Sequence, residues 1–209
     1  IDMRQHSGEH ARMGAVDVVP FIPIRDVTMQ DCVRLAEMFG ETAAERFGIP
    51  IYLYAEAART PSRKRLPDIR RGEYEGLEQK LADPEWTPDF GPAEFHARSG
   101  ATATGARSLL IAFNVNLDTD DKSEANRIAG RLRTSGVLRR NEEGEKIVGP
   151  DGEPERVPGR FDALQAAGWM FDESTAQVSM NLLDHTTTGM HTVTEAIREE
   201  AEKIGLSVT

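Results

Sequence analysis

Val16-Asp17-Val18-Val19-Pro20-Phe21-Ile22-Pro23-Ile24 is a nearly unbroken apolar run, and together with the helix start and the second strand after it, it decides the fold. Such a run suits a buried strand. Pro20 and Pro23 have no amide proton for a neighbouring strand, so this one is expected to be short, bulged or at an edge. Thr28-Met29-Gln30-Asp31 then reads as a helix start. The Thr hydroxyl can accept from an early amide, and the Asp carboxylate complements the helix N-terminus. Val33, Ala36, Ala43, Ala44 and Phe47 recur near helical spacing, with Glu37, Glu41 and Glu45 on other faces. Gly48 stands where a C-cap belongs, and Pro50 blocks continuation. Ile51-Tyr52-Leu53-Tyr54 is the next strand. Strand, helix, strand in this order predicts a right-handed unit with parallel strands.

Working outward, Ile1-Asp2-Met3-Arg4 reads as the end of a strand with a polar loop after it. Residues 57–67 form a loop with the basic cluster Arg59, Arg63, Lys64 and Arg65. Residues 68–81 return to a helical pattern with Ile69, Tyr74, Leu77 and Leu81 inside. Residues 83–105 show no period, yet Trp86, Phe90 and Phe95 argue against disorder. An irregular stretch this long is usually functional. Residues 108–117 are the strongest strand in the chain, and residues 123–135 a helix. Residues 139–158 form a charged excursion punctuated by Glu143-Gly144 and Asp151-Gly152. Residues 163–171 and 176–183 are two strands joined by a short connection, hence antiparallel. Residues 189–204 are a helix stopped by Gly205. The break between halves falls near Ala106.

A chain of 209 residues can bury a core without staples. Its single cysteine, Cys32, excludes an internal disulfide framework and fits a reducing compartment. No apolar run reaches the roughly 20 residues of a membrane span. A net charge of −10 disfavours a general nucleic-acid binder. The non-Met start and the abrupt final residues 206–209 read as cuts, giving a first half truncated at its front and a second truncated at its end.

The chemistry-bearing stretch is His6-Ser7-Gly8-Glu9-His10-Ala11-Arg12-Met13-Gly14-Ala15. Its spelling matches H-x-x-E-H, which marks a class of zinc peptidases. That chemistry needs both histidines on one face of a helix. Gly8 inside the motif and the prolines soon after speak against a helix here. His6 reads as a helper or a loop residue, His96 as a candidate ligand contact, and His185 and His191 as capping or packing residues. Asn114 and Asn116 share one face of their strand.

The Gly8–Pro23 stretch resembles the glutamate formiminotransferase family. Four later stretches, in the same order, extend the resemblance. They are Ile51–Arg59 (Ile-Tyr-Leu-Tyr-Ala-Glu-Ala-Ala-Arg), Pro88–Pro92 (Pro-Asp-Phe-Gly-Pro), Gly100–Arg107 with Ile111–Leu117, and Gln177–Asp184 with Met190-His191-Thr192-Val193. The resemblance implies an α+β fold (an α/β sandwich) of two subdomains, residues 1–106 and 107–209. Each would carry a mixed β-sheet with helices packed on it, with a folate cleft or tunnel between them. It implies His10 as the catalytic residue and Gly91, Pro92, Ala93, Glu94, Phe95, His96, Ala97, Arg98, Ser99 and Gly100 as the folate-contacting loop. The activity implied is glutamate formimidoyl transfer between N-formimino-L-glutamate and tetrahydrofolate in histidine degradation, without a metal. Formyl transfer from 5-formyltetrahydrofolate to glutamate and a non-catalytic folate-binding module are the alternatives. The partners implied are folate, in free or polyglutamylated form, glutamate, a second copy in a cytoplasmic homodimer, and a fused or separate cyclodeaminase; neither nucleic acid nor a membrane is among them. The chain departs from the family pattern at Ala11, where many relatives have Pro, a change in loop stiffness more than in chemistry. An acidic partner for the histidine is expected upstream of residue 1.

A histidine suits such a transfer. The amine of glutamate must lose a proton to attack the formimino carbon, and the leaving folate nitrogen must gain one. A side chain titrating near pH ~6.5 can do both in turn. Arg59, Arg63, Lys64, Arg65 and Arg98 could meet a glutamate tail, and Trp86, Phe90 or Phe95 could give the pterin a flat surface.

Overall fold

The computed structural model describes residues 1–8 and 10–209, which divide into two compact units, Ile1–Ser108 and Leu109–Thr209. The first unit contains β1 (Val18–Phe21), α1 (Met29–Phe47), β2 (Ile51–Ala55), the short helices α2 (Leu66–Ile69) and α3 (Leu77–Leu81), and β3 (Thr102–Ala106). The chain opens on a single 3-10 turn, Met3–Gln5, in place of the expected strand end. Asp2 caps this turn by accepting from the Arg4 amide at 3.1 Å.

α1 starts and stops as its sequence dictates. The Asp31 amide donates to Thr28 Oγ1 at 3.1 Å and the Thr28 amide to Asp31 Oδ2 at 2.9 Å, a reciprocal capping box. Gly48 ends the helix at φ 60°. Cys32, Ala36, Gly40, Ala43 and Ala44 form the buried stripe, whereas Phe47, expected inside, is exposed.

β1 and β2 are parallel, as the strand–helix–strand order predicts, but they are not neighbours. The sheet order is β1-β3-β2, with Thr104 registered between Val19 and Leu53. β3 lies inside the stretch read as irregular. Its sequence, Thr-Ala-Thr-Gly-Ala, lacks large apolar side chains because the space beside it is small. A Cβ on Gly105 would come within 2.2 Å of the Tyr54 carbonyl oxygen. The buried hydroxyls of Thr102 and Thr104 donate to the carbonyls of Val16 and Val19 at 2.6 and 3.1 Å, so the polar atoms at the centre of the sheet are satisfied.

The single helix expected over residues 68–81 is broken. Gly72 and Glu73 adopt φ values of 88° and 55°, outside the helical region. Ile69, Leu77 and Leu81 remain in the core, but Tyr74 is carried by the turn between α2 and α3 and faces the loops described below.

The second unit contains β4 (Ile111–Asn116), α4 (Lys122–Leu132), β5 (Val137–Leu138), β6 (Arg156–Val157), β7 (Leu164–Met170), β8 (Ala176–Leu182) and α5 (Met190–Glu202). Its main sheet is antiparallel in the order β4-β8-β7. The expected excursion is a hairpin, closed by β5 pairing with β6 and pinched by bridges at Arg140–Lys146 and Val148–Pro154. Along β8, Ala176, Val178, Met180 and Leu182 are buried and the residues between them half-buried, the alternation of a sheet with one covered face. Ala125, Ile128 and Leu132 of α4 and Val193, Ile197 and Ala201 of α5 join that core. The other face carries three cross-strand rows: Asn116, Gln177, Trp169; Asn114, Ser179, Ala167; and Ala112, Asn181, Gln165. Among the described residues no helix is long and apolar enough to cross a membrane.

Candidate functional site

The first unit brings the Gly8–Gly14 stretch beside the end of the loop at residues 91–100. His10 is exposed in a bend, not on a helix, so the i, i+4 pairing required for the zinc motif is not formed by His6 and His10. Glu9 lies outside the described residues. Two residues after His10, Arg12 turns inward, its side chain 11% exposed. Arg12 Nη1 and Nη2 donate to the two carboxylate oxygens of Glu75 at 2.8 and 2.6 Å, a bidentate pair. Nη1 also reaches Glu73 Oε2 at 3.0 Å, and Nη2 the His6 carbonyl at 3.3 Å. The loop is thus tied to itself and to the α2–α3 turn on either side of His10. The Arg12 guanidinium holds the Glu75 carboxyl at about 2, well below its ordinary range.

Met13 is the buried anchor, 1% exposed. Its amide donates to Asp17 Oδ1 at 2.7 Å, and Asp17 Oδ2 is paired with Arg70. Beyond it, the chain meets the other loop as a short ladder. The Ala101 amide donates to the Met13 carbonyl at 3.0 Å and the Ala15 amide to the Ser99 carbonyl at 2.9 Å, around an antiparallel bridge of Gly14 with Gly100. There is no room here for a side chain. A Cβ on Gly14 would stand 2.1 Å from the Ala101 oxygen, and one on Gly100 2.1 Å from the Met13 oxygen. A third strap runs from the Met3 amide to the Arg98 carbonyl at 2.9 Å.

Within residues 1–15 lies a pocket of about 270 Å³, lined by Met3, His6, Gly8, His10, Arg12 and Gly14 among others. That is just under the span of about 300–1,000 Å³ usual for small-molecule sites, room for one ring system but not for a ligand with a long tail. Two imidazoles and a mostly apolar wall suit a flat heterocycle beside a group that moves a proton.

The expected folate loop divides in two. Of its last four residues, Arg98, Ser99 and Gly100 adjoin residues 3–15 through the contacts above, and Ala97 accepts from the Tyr74 hydroxyl. Gly91, Pro92, Ala93 and Glu94 are exposed at the other end, where Gly91 lies against Ile49 and Ala44. His96 shapes the turn between: its carbonyl accepts from the Ser99 and Gly100 amides at 3.1 and 2.7 Å, and its Nδ1 from Ser99 at 3.2 Å. With Nδ1 accepting, the neutral ring carries its proton on Nε2. Phe95 stacks obliquely on Tyr74, ring centroids 5.3 Å apart.

Several candidates fall elsewhere. Arg63 is buried, bonded to Asp89 Oδ2 at 2.9 Å and to the Glu85 and Thr87 carbonyls at 3.0 and 2.7 Å, and lies near the rings of Tyr52 and Trp86. It is a structural cation, closed to a ligand. Phe90 packs on the core against Ala36, Ala44 and Ile51, with Arg59 over its ring. Trp86 packs on Tyr52 beneath Lys80. Of the three aromatic candidates, Phe95 alone stands against Tyr74, beside the loops described above. Arg59, Lys64, Arg65 and Arg98 remain accessible. Asn114 and Asn116 do share a face, in the second unit, and His185 and His191 are exposed there. The residues that sequence reasoning missed are Arg12, Tyr74 and Glu75. The only advance signal was Gly72-Glu73-Tyr74-Glu75-Gly76, two glycines in a helical window.

Residues 1–107 match the family described as formiminotransferase domain, N-terminal subdomain, and residues 112–209 match the formiminotransferase domain. The chain is 51% identical over 209 residues to the formimidoyltransferase-cyclodeaminase of Mus musculus, covering all of this chain and 36% of the relative. It is 40% identical to the glutamate formimidoyltransferase of Streptococcus pyogenes serotype M1, covering 100% of this chain and 62% of that protein. Against the enzyme of the same name from Thermoplasma acidophilum it is 38% identical over 208 residues, 99% of this chain and 61% of the relative. The chain therefore spans between about a third and three fifths of the length of these relatives.

Proposed function

Because the chain belongs to the formiminotransferase family, we propose that it carries the site of a glutamate formimidoyltransferase, an enzyme passing a formimino group between N-formimino-L-glutamate and tetrahydrofolate. The observation that carries this reading is the pocket with His6 and His10, whose wall includes Gly14 and Ala15 of the ladder to Ser99–Ala101. In this reading residues 1–106 and 107–209 are the N- and C-terminal formiminotransferase subdomains, and residues 91–100 meet the folate.

His10 removes a proton from the attacking amine and returns one to the departing folate nitrogen. Proton transfer of this kind is worth about 10²–10⁴ in rate. The tetrahedral carbon between donor and acceptor changes charge little, so holding the two substrates together supplies much of the remainder. Folate enters as a co-substrate. Phe95 offers its ring a flat contact, and Arg98, Arg59, Lys64 and Arg65 are the accessible cations for a polyglutamate tail. The protein is assigned to the cytoplasm, as a homodimer, acting with a fused or separate cyclodeaminase of the kind named in the Mus musculus relative.

The test is His10→Ala in the protein as its gene encodes it, assayed for formimino transfer and for binding of 5-formyltetrahydrofolate. Transfer is expected to fall by at least about 100-fold with binding retained. Near-normal turnover refutes the assignment of His10. Offering the wild-type protein formimino and formyl donors side by side identifies the transferred group. Binding without any transfer supports a non-catalytic folate module instead.

A further inference from the structure

Tyr74 holds both sides of the site at once. Its backbone amide donates to the Arg12 carbonyl at 2.8 Å, two residues beyond His10. Its hydroxyl donates to the Ala97 carbonyl at 2.5 Å, and its ring packs on Phe95. Neither link depends on the other: one belongs to the main chain and one to the side chain. The turn that presents Tyr74 is itself fastened to the same loop by Glu73 and Glu75 through Arg12. The residue thus spans the gap between the stretch with His10 and the stretch at 91–100, on a turn pinned a second time to the His10 side. Burial pushes the phenol above its ordinary value of 10, so it remains a hydrogen-bond donor throughout the neutral range.

We propose that Tyr74 is a positioning residue for the folate co-substrate, its side chain setting residues 95–98 at a fixed distance from the loop that carries His10. The proposal rests on the functional reading above and adds a division of labour to it. The main-chain link fixes the proton-transferring side, and the hydroxyl and ring fix the folate side. Side-chain substitutions at 74 therefore disturb folate recognition and leave the environment of His10 as it is. Loss of the Ala97 bond frees a surface loop to sample other positions, and folate must then order it on binding.

The experiment compares Tyr74→Phe with Tyr52→Phe, which removes a hydroxyl bond to the Trp86 carbonyl at 2.8 Å elsewhere in the same unit. Measured for each are the KM for the folate substrate, the KM for the amino-acid substrate, kcat and its pH profile, the Kd for 5-formyltetrahydrofolate, and amide hydrogen exchange at Ala97–Gly100. Tyr74→Phe is expected to raise the folate KM and Kd about fivefold, the worth of one net hydrogen bond. It should also speed exchange in the loop, with kcat, its pH profile and the amino-acid KM unchanged. Tyr74→Ala, which loses the ring as well, should weaken folate binding further. Tyr52→Phe should do neither. The proposal is overturned if Tyr74→Phe behaves like Tyr52→Phe, if it lowers kcat with folate KM unchanged, or if the wild-type protein binds no folate. Wild-type protein that binds folate without transferring a group defeats the enzymatic reading alone. Kd and exchange still decide the role of Tyr74 in that case.

Discussion

Replacing Arg63 with Met should unfold the first unit far more readily while leaving folate chemistry intact in whatever remains folded. Arg63 and Asp89 are 6% and 4% exposed. The substitution keeps much of the volume but removes three hydrogen bonds, to Asp89 Oδ2, the Glu85 carbonyl and the Thr87 carbonyl. It also strands the Asp89 carboxylate, which keeps the Leu53 amide at 2.8 Å and only a distant Arg59 Nε at 3.9 Å. Breaking one side of a buried pair costs about 3–5 kcal/mol. At about 4–8 °C of Tm per kcal/mol for a unit of roughly this size, the midpoint should fall by at least about 12 °C. The assay is urea and thermal unfolding monitored by far-UV circular dichroism, with 5-formyltetrahydrofolate binding measured well below the transition. A double variant, Arg63→Met with Asp89→Asn, removes the stranded charge and should recover part of the loss. A fall under about 1 kcal/mol would refute the buried-pair reasoning. So would a loss of folate affinity at full stability, because Arg63 would then be meeting the ligand.

Glu75 is held at about 2 by Arg12 against an ordinary 4.5, so the pair contributes stability above pH ~4.5 that is lost as pH falls toward 2. Glu75→Gln should flatten the stability profile in that acid window and leave its slope near neutrality unchanged. The side chain of Glu75 is 63% exposed, so solvent screening makes the effect smaller than the full shift implies; acid titration of both proteins monitored by circular dichroism measures it. Gly14→Ala places a methyl against two carbonyl oxygens and should cost about 1–3 kcal/mol, read as a lower urea midpoint at constant m. An unchanged midpoint would mean that the Met13–Ala101 ladder is not rigid in solution. Glu200→Gln should weaken the link between α4 and α5, since Arg131 of α4 reaches that carboxylate at 2.7 Å, and a double-mutant cycle with Arg131→Ala measures the coupling.

Elements whose signal is local were legible in the sequence. The capping box at Thr28 and Asp31, the glycine stop at 48 and the alternation along β8 arise from chemistry confined to a few residues. β3 was not legible because its small side chains answer to Tyr54 and to the strands on either side of it, which one reads only in three dimensions. The turn at residues 70–76 hid for a related reason: Ile69, Leu77 and Leu81 keep helical spacing on both sides of a break. At the site, the motif pointed to His10, while the residues that brace it were silent. Arg12 reads as any loop arginine until Glu73 and Glu75 are seen across from it, and Arg63 reads as one of a solvated run until Asp89 is placed beside it.

The central position of β3 has a consequence for how the first unit assembles. β1 and β2 flank a strand that comes last of the three in the chain, nearly fifty residues after β2 ends. Apart from the bridge of Ile51 to Phe90, neither outer strand pairs with another strand among the described residues until residues 102–106 have found the slot between them. Until then both edges stand open, the condition in which parallel sheets are slow to form and exposed to wrong pairing. Closing that slot also brings Gly100 and Ala101 to Gly14 and Met13, so the sheet of the first unit and the ladder that fixes one wall of the pocket are completed in one event.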